Sequence, residues 1–169
     1  MEIAPLIDEL RANEAVFASL LRSVPEDQRT WRPAPDKWSM LEVVCHLYDE
    51  ERDDFRARLR SVLDDPTQPL PPTNPEAWVS DRHYADQEYD TMLDAFLTER
   101  EASVRWLEGL VDPRWENAYQ HPRVGPLTAR MFLTTWVAHD YLHVRQIIRM
   151  KYQHLEATSG VSLEYAGGW

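Results

Sequence analysis

Proline decides where long helices can lie in this chain. Inside a helix it lacks the N–H donor and clashes with the preceding turn. The twelve prolines stand at 5, 25, 33, 35, 66, 69, 71, 72, 75, 113, 122 and 126. They leave four uninterrupted stretches, 6–24, 36–65, 76–112 and 127–169. Apolar residues recur along these stretches at helical spacing. The stripes are Leu6, Leu10, Phe17 and Leu21 in the first, Leu41, Val44, Tyr48, Phe55 and Leu59 in the second, Leu93, Phe96, Val104 and Leu107 in the third, and Phe132, Trp136, Val144 and Ile147 in the fourth. No run alternates at period two, so no sheet is expected. The expected fold is all-α, a four-helix bundle. The five prolines of 64–75 make that segment a long crossover between the second and third helices. The whole chain, 1–169, reads as one domain, with 153–169 as a C-terminal tail. Three of the five glycines lie in its last ten residues, and Trp169 either docks on the core or hangs loose.

Two helix starts are marked. Ser39 and Glu42 fit a capping box, with Trp38 and Val43 at the flanking hydrophobic-staple positions. Gly125-Pro126 offers a start for the fourth helix, because proline suits the first helical position.

Composition removes several functions. A single cysteine, Cys45, excludes an internal disulfide and Cys₄ or Cys₂His₂ zinc fingers. Eighteen basic against twenty-nine acidic residues leave a net charge of −11, unsuited to a phosphate backbone, so no nucleic-acid partner is expected. No apolar run reaches the roughly 18 residues of a membrane span, and the first residues are acidic where a signal peptide is basic. A soluble, cytoplasmic protein without a membrane partner is expected.

The histidines carry the chemistry. His139 and His143 are four apart, and at about 100° per residue they share the apolar face of Phe132, Trp136, Ile147 and Met150. Two imidazoles on one buried face either are neutral and hydrogen-bonded or share a cation. His46 is the best third donor, two turns into the second helix. Its side of the wheel also carries Glu42, Asp49, Glu50 and Asp53. The pattern by itself slightly favours a solvated acidic face; the alternative is a cleft wall whose carboxylates orient the imidazole. His83 and His121 fall in loops and His154 near a helix end, all expected to be exposed. His139-Asp140-Tyr141-Leu142-His143 is not a zincin motif, since aspartate is one methylene short of the glutamate base and no matching third ligand follows. Cys45 reads as a small apolar filler. No phosphate loop, nucleophile elbow or catalytic triad is present, and no catalytic residue is assigned.

Two segments carry a resemblance. Trp31-Arg32-Pro33, then Trp38-Ser39, then Cys45-His46-Leu47 resembles the second-helix signature of the DinB/YfiT-like superfamily. His139-Asp140-Tyr141-Leu142-His143-Val144-Arg145-Gln146-Ile147 resembles its His-Asp-x-x-His-x-x-Gln-Ile motif, and His121-Pro122-Arg123-Val124-Gly125-Pro126 resembles the approach to it. The resemblance spans most of the chain in the right order. It implies a four-helix bundle holding a divalent transition metal, Zn²⁺ or Ni²⁺ foremost, on His46, His139 and His143. Asp140 and Gln146 match the motif without an assigned role. The resemblance further implies a metal-dependent enzyme adding a low-molecular-weight thiol to an electrophile, or a metal-dependent hydrolase, or a non-catalytic, stress-associated metal-binding or interaction module. A homodimer is also implied. Trp38 and Trp136 are pocket candidates, although core packing suits both; Arg149, Lys151 or, less well placed, Arg145 would offset the acidic charge for an anionic thiol.

Overall fold

The computed structural model describes residues 2–167; Trp169, expected on the core or loose, lies outside them. Helix α1 is Ala4–Arg22, with Pro5 tolerated in its first turn. A short α2, Glu26–Arg29, follows. The second rod is continuous but not uniform. It runs as α3, Met40–Asp49, then a π-helical stretch, Glu50–Phe55, then α4, Arg56–Asp64. The capping box at its start is complete: the Ser39 hydroxyl accepts from the Glu42 N–H, and the Glu42 carboxylate accepts from the Ser39 N–H at 2.7 Å.

The crossover is longer than the proline run implies. After it come α5, Pro75–Asp81, and a 3₁₀ turn, Tyr84–Asp86. The third rod, α6, is confined to Tyr89–Glu108. His83, left-handed at φ 50°, breaks the chain ahead of it, and Glu88 caps it by accepting from the Asp90 and Thr91 N–H groups. A hairpin then appears where no sheet is expected. Strands β1, Ala118–His121, and β2, Gly125–Thr128, pair antiparallel with Ala118 opposite Thr128. Gly125 takes the φ of +81° that the turn requires, and His121 Nδ1 accepts from the Arg123 and Val124 N–H groups. Pro126 therefore lies in a strand. The fourth rod, α7, starts at Ala129 behind the Thr128 cap and runs to Ser159, so the tail expected from 153 begins only after Ser159.

α1 packs on α6 and α7, and the second rod packs on the same two. Consecutive rods one and two therefore sit across the bundle diagonal, which the long crossover makes possible. Two apolar clusters fill the core. One holds Phe17, Leu21, Leu47, Phe96 and Ile147, and the other Leu10, Leu59, Val104, Leu133 and Val137. A hydrogen-bonded set of buried polar residues draws on all four rods: Asn13, Glu51, Arg100 and Asp140. Among the described residues no helix is long and apolar enough to cross a membrane.

Candidate metal centre

His46, His139 and His143 converge from α3 and α7. One ring nitrogen from each lies within 4.8 Å of the others. His139 Nε2 and His143 Nε2 are 3.2 Å apart, and the His46 ring lies 4.9 Å from that of His143 and 5.8 Å from that of His139, centroid to centroid. Two nitrogens on a tetrahedral zinc would stand about 3.3 Å apart. Burial, reinforced by the neighbouring imidazoles, holds His46 down to about 3, and burial also holds His139 down to about 3. His143 is lowered as well, mainly by desolvation. All three therefore keep lone pairs available at neutral pH. His46 Nδ1 is buried without a hydrogen-bond partner, a costly state for a polar atom in protein. Donor type, spacing and this orphaned atom fit a divalent transition-metal ion.

The surrounding contacts fix the rings. Gln146 Oε1 accepts from His143 Nδ1 at 2.8 Å, which leaves the His143 Nε2 lone pair toward the cluster. Trp38 lies 4.9 Å from the His46 ring, and Phe55 lies 4.9 Å from the His139 ring while stacking on Trp136 at 5.7 Å. Trp38 thus borders the site, and Trp136 belongs to the core, as its 1 % exposure shows.

The acidic side of the second rod is neither a solvated face nor a set of imidazole-orienting carboxylates. Glu42 is buried on Ser39 and on Arg32 at 2.6 Å. Asp49 accepts from Tyr84 Oη and is paired with Arg82, both at 2.5 Å, and Asp53 is paired with Arg82 at 2.7 Å. The segment after the crossover supplies partners to Asp49 and Asp53, and the loop ahead of the rod supplies those of Glu42. Only Glu50 approaches the cluster, 3.9 Å from His46 Nδ1; burial pushes its carboxyl up to about 8.

Asp140 turns away from the histidines into the polar belt. Arg100 donates to both of its oxygens at 2.7 Å and to Glu51 at 2.9 Å, and Asn13 donates to Asp140 at 3.0 Å. Trp136 Nε1 donates to Glu51 at 3.1 Å. Sequence reasoning missed Glu51 and Arg100, although each is a charged residue at an apolar stripe position. Of the remaining histidines, His83 is exposed and His121 half-buried in the hairpin. His154 is half-buried rather than exposed, 5.2 Å from the Trp31 ring. Cys45 is fully buried, its thiol pushed up to about 12 mainly by desolvation, as suits a filler.

Residues 9–147 match the family model of the DinB superfamily. The chain belongs to the DinB superfamily. Among solved structures, this DinB-superfamily chain is similar to YfiT from Bacillus subtilis, described as a probable metal-dependent hydrolase with an unusual four-helix bundle topology. The TM-score is 0.77 at 18 % identity, covering 89 % of this chain and 86 % of YfiT. It is also similar to TT2238, a four-helix bundle protein, with a TM-score of 0.55 at 17 % identity, covering 86 % of this chain and 98 % of the other. No curated protein matches the sequence.

Proposed function

We propose that this DinB-superfamily protein is a divalent-metal-dependent enzyme, with zinc or nickel held by His46, His139 and His143, that joins a low-molecular-weight thiol to an electrophile. The observation that carries the proposal is three neutral imidazoles meeting within 4.8 Å, with His46 against Trp38 and His143 on Gln146, two residues that line a neighbouring cavity. Three protein ligands leave coordination positions open, as catalytic rather than structural zinc sites do. A bound divalent ion there supplies a Lewis acid that makes a thiol or a water more acidic near neutral pH.

The chain's own residues do the rest. Gln146 fixes the orientation of the His143 ring, and Phe55 and Trp38 wall the cluster on two sides. The cavity beside Trp38 and Met150 takes the apolar part of an electrophile. Transfer makes one sulfur–carbon bond with the thiolate electron pair. The thiol proton leaves to solvent, and the electrophile's displaced group or opened π-bond takes up the other pair. The test is a panel of bacterial thiols with electrophilic acceptors, run on metal-loaded and metal-stripped protein. Thiol-dependent turnover only in the loaded form is expected; absence of turnover with every thiol contradicts the proposal.

A second reading is metal-dependent hydrolysis, favoured by the likeness to YfiT, which is described as a probable hydrolase. It requires ester or amide cleavage with no thiol present.

A further inference from the structure

The cavity beside the histidines has a volume of about 480 Å³ and opens between the loop ahead of α3 and the outer half of α7. Two of its wall residues touch the triad: Trp38 against His46 and Gln146 on His143. The other polar groups on the wall are mostly donors. Arg149, Gln153 and the Trp38 indole N–H make no hydrogen bond or ion pair to any described residue. Gln146 commits its Oε1 to His143, which leaves its amide N–H groups free. The single carboxylate on the wall, Asp36, is tied to Lys37 at 2.8 Å. Gln153 and the exposed Asp36 also leave acceptor oxygens open, so what distinguishes the wall is its one cation without a partner among the described residues.

Arg149 is the uncommitted cation of that wall, in a protein of net charge −11. A guanidinium presents a planar fork that matches a carboxylate with two parallel hydrogen bonds. Arg149 follows His143 by six residues on one helix, an axial separation of about 9 Å. We infer that one of the reacting small molecules carries a carboxylate, and that Arg149 holds this group while the molecule's other end reaches the triad. Arg149 is then a specificity-determining residue. The inference rests on the triad being the reacting centre.

The test uses the zinc-loaded, full-length protein and two probes of one skeleton, glutathione and its dimethyl ester, compared by calorimetry. Both carry the thiol; only the first carries carboxylates. Glutathione is expected to bind about ten-fold more tightly than the ester. Arg149→Gln brings its affinity down to that of the ester, and Arg149→Lys, which keeps the charge but not the fork, recovers part of the difference. Zinc content, measured on the same samples, stays equal across the variants because Arg149 is exposed and outside the cluster. Equal affinity for acid and ester, no binding of the acid, or an Arg149→Gln protein that keeps the preference overturns the inference. Full zinc without any preference sinks this inference and spares the metal centre; a preference retained in protein that takes up no zinc does the reverse.

Discussion

The Asp140 carboxylate grips the Arg100 guanidinium with both oxygens at 2.7 Å, although Asp140 directly follows one triad histidine in sequence. A step of about 100° along α7 is enough to turn it from the cluster into the bundle interior. There the pair is fully buried and shares Arg100 with Glu51. This belt couples all four rods at the level of His139, so it sets the relative position of the rods that carry the histidines.

Replacing Arg100 alone leaves two buried carboxylates without their cation. Arg100→Met is expected to cost about 3–5 kcal/mol of unfolding free energy, measured by urea denaturation. Adding Asp140→Leu and Glu51→Met recovers most of that loss, because the uncompensated charges are gone. A single Arg100→Met protein as stable as the parent would show that the belt is not a structural unit.

Gln146 touches the cluster only through His143 Nδ1. Gln146→Met removes that acceptor and keeps the side-chain length. Metal affinity is expected to fall about 10–100-fold, read by competition with a chromophoric chelator, while the far-ultraviolet helical signal is unchanged.

Much of the bundle was legible from proline spacing and helical periodicity, and the capping box at Ser39 was legible residue by residue. Three things were not. The hairpin was hidden because Pro126 suits a helix start as well as a strand of a two-stranded ribbon, and four-residue strands leave too short an alternation to see. The acidic side of the second rod read as solvated because the helical wheel carries no knowledge of the crossover. Tyr84 and Arg82, far along the chain, cover Asp49 there. The π-helical stretch Glu50–Phe55 has no composition signature, yet it contains the buried Glu51, five residues after the buried His46. The three histidines themselves were identified from the motifs; spacing alone paired His139 with His143 and left His46 undecided. Arg100 could have been found, since a charge on the stripe of Leu93, Phe96, Val104 and Leu107 demands buried partners of opposite sign.

Glu50 gives a pH signature in the metal-stripped protein. Its folded-state carboxyl, raised mainly by burial, titrates near 8 against an ordinary value of 4.5. Between these values the unfolded chain has released a proton that the folded chain retains, so raising the pH through this window lowers stability. Glu50→Gln removes that loss. The Tm of the variant minus that of the parent is expected to grow from pH 5 to pH 8; a constant difference contradicts the placement of Glu50.

The most direct measurement is the metal content of tag-free protein purified without added metal, set beside that of His139→Ala. Removing one of three convergent imidazoles should take the protein from close to one divalent transition-metal ion per chain to nearly none, with the helical fold retained. Equal and near-zero metal in both proteins, persisting after incubation with zinc or nickel, would contradict a metal centre at His46, His139 and His143.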